Sequence, residues 1–147
     1  EVNINAPLLL TRLLLDHLRG CKSTIVNITS STSEHPLPHM SVYAASKAFL
    51  RSWSLALAQE LKASNRVVTF APSGTDTGFQ GNAGVKKINS KGLLSPEFVA
   101  KKILKATHAG PIDISIGLSS KLLNFFSYLM PLRIKLEVWS FLFRSQR

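Results

Sequence analysis

Cysteine, acidic residues and long apolar runs are what this sequence has least of. Cys21 is the one cysteine in 147 residues, so no disulfide can close within the chain. A lone thiol suits a reducing compartment. It stands where a helical pattern gives way to a strand pattern, a place for a small filler, and no His or Asn constellation marks it as a nucleophile. Eight acidic residues stand against eighteen Lys and Arg, a formal net charge of +10. His35 and His39 share one loop, but no carboxylate or thiol completes a metal ligand set with them. No apolar stretch approaches the ~20 residues that a spanning helix needs. Internal repeats and low-complexity linkers are also missing, as is any nucleic-acid motif or aromatic stacking platform.

What is present suffices for one domain with a real core, with 45% hydrophobic residues. The charge is uneven. Residues 1–85 carry seven basic and five acidic side chains; residues 86–147 carry eleven and three. A half that includes Lys86, Lys87, Lys91, Lys101, Lys102 and Lys105 suits an anionic membrane surface, a phosphate-bearing ligand or simply a solvated face.

Periodicity orders the elements. Residues 1–19 read as a helix through Val2, Leu9, Leu10, Leu13, Leu14 and Leu18, with Pro7 near its start and Gly20 at its end. Thr24–Ile28 is a β-branched run and reads as a buried parallel strand. Pro36 and Pro38 keep the following loop from being helical throughout. A long helix is expected over 41–64, with Phe49, Leu50, Trp53, Leu57 and Leu61 on one face and Asn65 as its stop. Arg66–Phe70 is the next strand. Ser95, Pro96 and Glu97 start a helix to about Thr107 that buries Phe98, Val99, Ile103 and Leu104. Gly110 and Pro111 break it before a last strand, Ile112–Ile116. The tail, 118–147, is apolar and basic and divided by Pro131. It suits an interfacial membrane segment, a hydrophobic cap over a substrate, or a helix pair packed on the body or a second subunit. Strand, helix, strand, helix, strand defines an α/β fold with a parallel sheet.

The chemistry centres on Tyr43-Ala44-Ala45-Ser46-Lys47. Four residues apart on a helix, Tyr43 and Lys47 share a face. A phenol ordinarily loses its proton near pH 10, and an ammonium held beside it favours the phenolate. Such a pair can exchange a proton with an alcohol or carbonyl oxygen. Ser30 ends the first strand thirteen residues upstream, where open α/β sheets bind ligands, and offers a hydroxyl for the same oxygen.

The run Ile25-Val26-Asn27-Ile28-Thr29-Ser30, followed thirteen residues later by Tyr43-Ala44-Ala45-Ser46-Lys47-Ala48, resembles the short-chain dehydrogenase/reductase family in residue types, order and spacing. The resemblance covers about residues 1–117. It implies a Rossmann-type, doubly wound sheet of which this chain is the C-terminal half, because the family's glycine-rich phosphate turn and its N-N-A-G motif have no counterpart here. Gly78, Gly81 and Gly84 do not follow the required strand-turn-helix pattern. It implies an oxidoreductase that moves a hydride between NAD or NADP and a carbonyl or secondary alcohol. Tyr43 would be the acid/base, Lys47 would support it and bind the nicotinamide ribose, and Ser30 would hold the substrate oxygen. Asn3, in its Val2-Asn3 setting and preferred over Asn5, would support the proton relay. Pro72, Thr75 and Thr77 would meet the nicotinamide amide, although the family glycine after the proline is Ser73 here and Gly74 follows. Residues 80–92 look like the family's substrate lid. His39 and Met40 are candidate substrate contacts, and an apolar substrate is expected. The resemblance also implies a homodimer through the 41–64 helix. From the composition and the tail pattern, a cytoplasmic location, no nucleic-acid partner and membrane-surface contact through 118–147 are expected. A non-catalytic membrane-surface protein that keeps the fold is the rival reading.

Overall fold

The structure, a computed structural model, describes residues 1–77 and 92–143. Their elements are helix α1 (Asn5–Cys21), strand β1 (Thr24–Ile28), a 3-10 turn (Ser31–Glu34), helix α2 (Ser41–Glu60), strand β2 (Arg66–Pro72), helix α3 (Pro96–His108), strand β3 (Asp113–Ile116), and helices α4 (Leu118–Leu129) and α5 (Leu132–Phe143). The strands form one parallel sheet in the order β1-β2-β3.

Strand alternation sorts the core into two faces. Val67 packs with Leu57 and Ala58 of α2 and with Leu61 just past its end, alongside Ile25 and Leu15. Val68 and Phe70 point the other way, against Val99 and Ala106 of α3, with Val26, Ile103 and Ile114 around them. Helices therefore cover both faces of the sheet, which is the doubly wound arrangement. β2 is the buried centre, and Val68, Phe70 and Ala71 are fully enclosed.

The boundaries differ from those read in the sequence, for local reasons. α1 runs through Gly20 to Cys21, and Lys22 takes the left-handed cap conformation at φ 47°. Pro7 lies in the first turn, where its missing N–H costs nothing. Asn3 sits in the turn that leads into the helix, not on the helix surface. α2 ends at Glu60; the Asn65 amide folds back to the Leu61 carbonyl at 2.8 Å and closes the turn. In α3 the Ser95 cap is as expected, its Oγ accepting from the Phe98 amide at 3.2 Å. Phe98 and Leu104 are exposed, however, and Ala106 takes the buried place, because the stripe that meets the sheet is Val99, Ile103 and Ala106. β2 extends to Pro72, and β3 begins at Asp113. The expected lid and the Gly78, Gly81, Gly84 cluster lie outside the described residues.

The tail folds as two helices, separated at Met130 and Pro131. Trp139 of α5 is buried against Leu37 and Ala44, with Met40 beside them. Among the described residues no helix is long and apolar enough to cross a membrane.

Candidate active site

β1 delivers Ser30 and α2 delivers Tyr43 and Lys47 to the carboxyl end of the sheet. Thr29 and Ser30 are both buried there. The Thr29 amide still donates to the Phe70 carbonyl at 2.8 Å, so the last ladder bond holds the start of the loop. Ser30 caps the 3-10 turn: its Oγ accepts from the Thr32 amide at 3.2 Å, and its carbonyl accepts from Ser33 Oγ at 2.7 Å. The hydroxyl proton of Ser30 is not used by the cap and is available to a substrate oxygen.

Tyr43 and Lys47 lie half-buried on one face of the first turns of α2, with the Lys47 ammonium 6.0 Å from the centre of the tyrosine ring. Lys47 Nζ donates to the Ile28 carbonyl at 3.0 Å. That bond ties the helix to the end of β1 and aims the amine at the site. Burial strips water from the ammonium and pushes its pKa below the ordinary 10.5. Asn3 joins the same group from the α1 side, donating from Nδ2 to Ser46 Oγ at 3.1 Å; Ser46 Oγ in turn donates to the Tyr43 carbonyl at 2.7 Å. The structure thus gathers Ser30, Tyr43, Lys47 and Asn3 around one strand end.

Pro72 ends β2, and Thr75 and Thr77 follow it at the same end of the sheet. Leu94 clamps their loop, its amide donating to the Gly74 carbonyl at 2.8 Å and its carbonyl accepting from the Asp76 amide at 2.9 Å. A Cβ on residue 74 would sit 2.7 Å from a Leu93 methyl. A larger residue at 74 would require the Leu93 side chain to move aside. Thr75 Oγ1 donates to the Ser73 carbonyl at 3.1 Å, and Thr77 is exposed. His39 is exposed, with a left-handed φ of 65°, and Met40 packs on the Leu37–Ala44–Trp139 cluster.

The donor set fits the nicotinamide end of a dinucleotide. Lys47 spends one N–H on Ile28 and keeps two. Thr29 Oγ1 is buried at the strand end with no partner among the described residues. Nothing described fits a pyrophosphate, for no glycine-rich turn joins a strand to a helix there. A cavity of about 490 Å³ lies on another face of α2, lined by Ala44, Ala45 and Ala48, the 33–38 loop and Leu136. Ser30, Tyr43 and Lys47 do not line it.

Three features escaped the sequence reading. His35, read only as a loop residue, is buried beside Trp139. Asn27 donates to Ser54 Oγ at 2.8 Å and pins α2 to β1. Ser46 links Asn3 to Tyr43. A signal for the two serines was present: they fall at helical spacing in the stripe of Leu50 and Leu57, and a hydroxyl there must find a partner.

Comparison with known proteins shows the family and supports the fold. The sequence profile of the short chain dehydrogenase family matches residues 1–87. The chain is 36% identical over 102 residues to an uncharacterized oxidoreductase, DltE, of Bacillus subtilis, spanning 67% of this chain and 40% of the relative. It is 35% identical over 110 residues to the ketoacyl reductase HetN of a Nostoc species, spanning 72% and 38%. Among solved structures, a short chain dehydrogenase from Burkholderia cenocepacia in complex with NADP superposes with a TM-score of 0.73 at 22% identity, over 83% of this chain and 49% of that one. A second, from Streptomyces avermitilis, superposes with a TM-score of 0.71 at 23% identity, over 99% and 60%. The chain belongs to the short-chain dehydrogenase family. It spans less than half the length of the two curated relatives.

Proposed function

We propose that this chain supplies the proton-transfer part of an NAD(P)-dependent oxidoreductase acting on a carbonyl or secondary alcohol. One observation carries the reading: the Lys47 amine, held to the Ile28 carbonyl at 3.0 Å, shares a helix face with Tyr43 beside Ser30 at the end of β1. Ser30 donates its hydroxyl proton to the substrate oxygen and orients it. Tyr43 gives that oxygen a proton in reduction and takes it back in oxidation. The Lys47 cation offsets the negative charge left on the phenol oxygen, and its remaining N–H groups would hold the cofactor ribose. Pro72, Thr75 and Thr77 would hold the nicotinamide amide. The nicotinamide, when bound, supplies or accepts the hydride. The relatives' names include 17-beta-hydroxysteroid dehydrogenase type 3 of Homo sapiens and a very-long-chain 3-oxoacyl-CoA reductase of Kluyveromyces lactis, which supports an apolar substrate. The test follows NADH and NADPH absorbance in the whole protein over a panel of apolar ketones and alcohols. Turnover that falls at least about 100-fold in Tyr43→Phe supports the assignment. A fully active mutant overturns it.

A second reading concerns the tail. On α4, Leu122, Phe125, Phe126 and Leu129 recur at helical spacing and are 50%, 63%, 55% and 67% exposed. Five basic residues and one acidic residue accompany them in 118–147. This pattern suits the surface of an anionic bilayer, with the enzyme or without the chemistry. Sedimentation with anionic but not zwitterionic vesicles, lost in Phe125→Glu, supports it. A dimer that breaks up in that variant assigns the stripe to a second copy. Pairing of two copies through α2 is a separate proposal, read by light scattering.

A further inference from the structure

The hydrogen bonds of Asn3 point to a route by which it acts on the site. Its side-chain amide reaches the helix through Ser46: Nδ2 donates to Ser46 Oγ at 3.1 Å, and that hydroxyl donates to the Tyr43 carbonyl at 2.7 Å. Ser46 is buried, so no water replaces either bond cheaply. In an α-helix the Tyr43 carbonyl also accepts the Lys47 amide, four residues on. Asn3, Ser46, Tyr43 and Lys47 therefore converge on one carbonyl. We propose that Ser46 is a positioning residue that couples Asn3 to the Tyr43–Lys47 turn, setting the rotation of α2 about its axis at the site.

The fold contains its own comparison. Asn27 Nδ2 donates to Ser54 Oγ at 2.8 Å, and Ser54 Oγ donates to the Leu50 carbonyl at 2.6 Å. This is the same amide-to-hydroxyl-to-carbonyl relay, placed eleven residues beyond Tyr43, roughly 16 Å along the axis. Ser54 holds the helix to the sheet but touches neither Tyr43 nor Lys47. Losing it removes a buried bond and leaves the first turn in place.

A double-mutant cycle tests the coupling. Asn3→Ala, Ser46→Ala and the double variant are compared by amide exchange over residues 41–49, with Ser54→Ala as control and Ser46→Thr as rescue. Each single variant is expected to speed exchange in that turn by about tenfold, and the double by about the same tenfold, because both remove one linkage. Ser46→Thr stays near wild type, and Ser54→Ala leaves this turn unchanged. Where turnover is measurable, kcat falls by about tenfold with KM within about twofold. The inference rests on the oxidoreductase reading for its consequence in catalysis but not for the exchange result. Wild-type protein without turnover sinks that reading alone, since the exchange cycle still decides the coupling. A double variant near 100-fold, the product of independent effects, overturns the coupling, and so does a Ser46→Ala pattern that matches Ser54→Ala.

Discussion

The imidazole of His35 lies 4.7 Å from the ring of Trp139, centre to centre, with the two planes inclined by 30°. Nε2 of the same histidine stands 2.6 Å from the Asn124 side-chain oxygen, so it carries the proton and donates. One loop residue thus contacts both tail helices. That loop runs directly into the helix that presents Tyr43.

Burial holds the pKa of His35 below its ordinary 6.5, and the nearby Lys135 adds to the effect; the Asn124 bond and Glu34 oppose it without reversing it. The folded state therefore disfavours the extra proton that the unfolded chain takes up. This contribution to stability is complete above about pH 6.5 and is lost as the pH falls toward and through the lowered value. Tail docking is expected to loosen over that window. Trp139 fluorescence, read in a Trp53→Phe background, checks it. The acid-induced change should vanish in His35→Gln; a change that persists there would assign it to another group.

Asp113 fastens β3 to two neighbours. Its carboxylate pairs with the Arg51 guanidinium of α2 and accepts from Thr69 Oγ1 at 2.7 Å. Glu34 stands farther from the same guanidinium, at 3.8 Å. Asp113→Ala leaves Arg51 with only the more distant Glu34 and Thr69 Oγ1 with only the Ile112 carbonyl at 3.2 Å, in a setting that is mostly buried. A loss of about 1–3 kcal/mol is expected. Urea unfolding should show a lower midpoint with an unchanged slope.

Asn65 closes the other end of the sheet. Its Nδ2 lies 2.7 Å from the Leu18 carbonyl and 3.3 Å and 3.2 Å from the carbonyl and Oγ of Ser23. The end of α1, the start of β1 and the start of β2 meet on one buried amide. Asn65→Ala leaves those acceptors without their donor and should cost about 1–3 kcal/mol, again read as a lower urea midpoint. Asn65→Leu, which fills the volume but donates nothing, should cost as much.

The strands and the candidate site residues Ser30, Tyr43 and Lys47 were legible because each has a local signature. Thr24–Ile28 is a β-branched run, and Tyr43, Lys47 and Ser30 carry a spacing that sequence alone displays. What escaped depends on partners distant in the chain. His35 is 89 residues from Asn124, and Asn3 is 43 from Ser46. Phe98 and Leu104 fit the helical period, yet they flank the stripe that the sheet selects, and a smaller residue, Ala106, meets Val68 and Phe70. Periodicity names a face to within a residue or so; the neighbouring element decides the rest.

Leu9, Leu10, Leu13 and Leu14 of α1 are exposed, and α1 buries none of its residues. β1 pairs with β2 on one side, and no described strand pairs its other edge. A contiguous apolar helix face beside an open strand edge is a site for association. The 147 residues expressed alone are expected to bind an apolar fluorescent dye and to self-associate at micromolar concentration. Two glutamates in the stripe, Leu10→Glu with Leu13→Glu, should reduce both, because α1 meets the core chiefly through Leu15. A sharp unfolding transition with no dye binding in the unaltered chain would show that these surfaces are covered, and light scattering on the same sample would tell whether a second copy covers them.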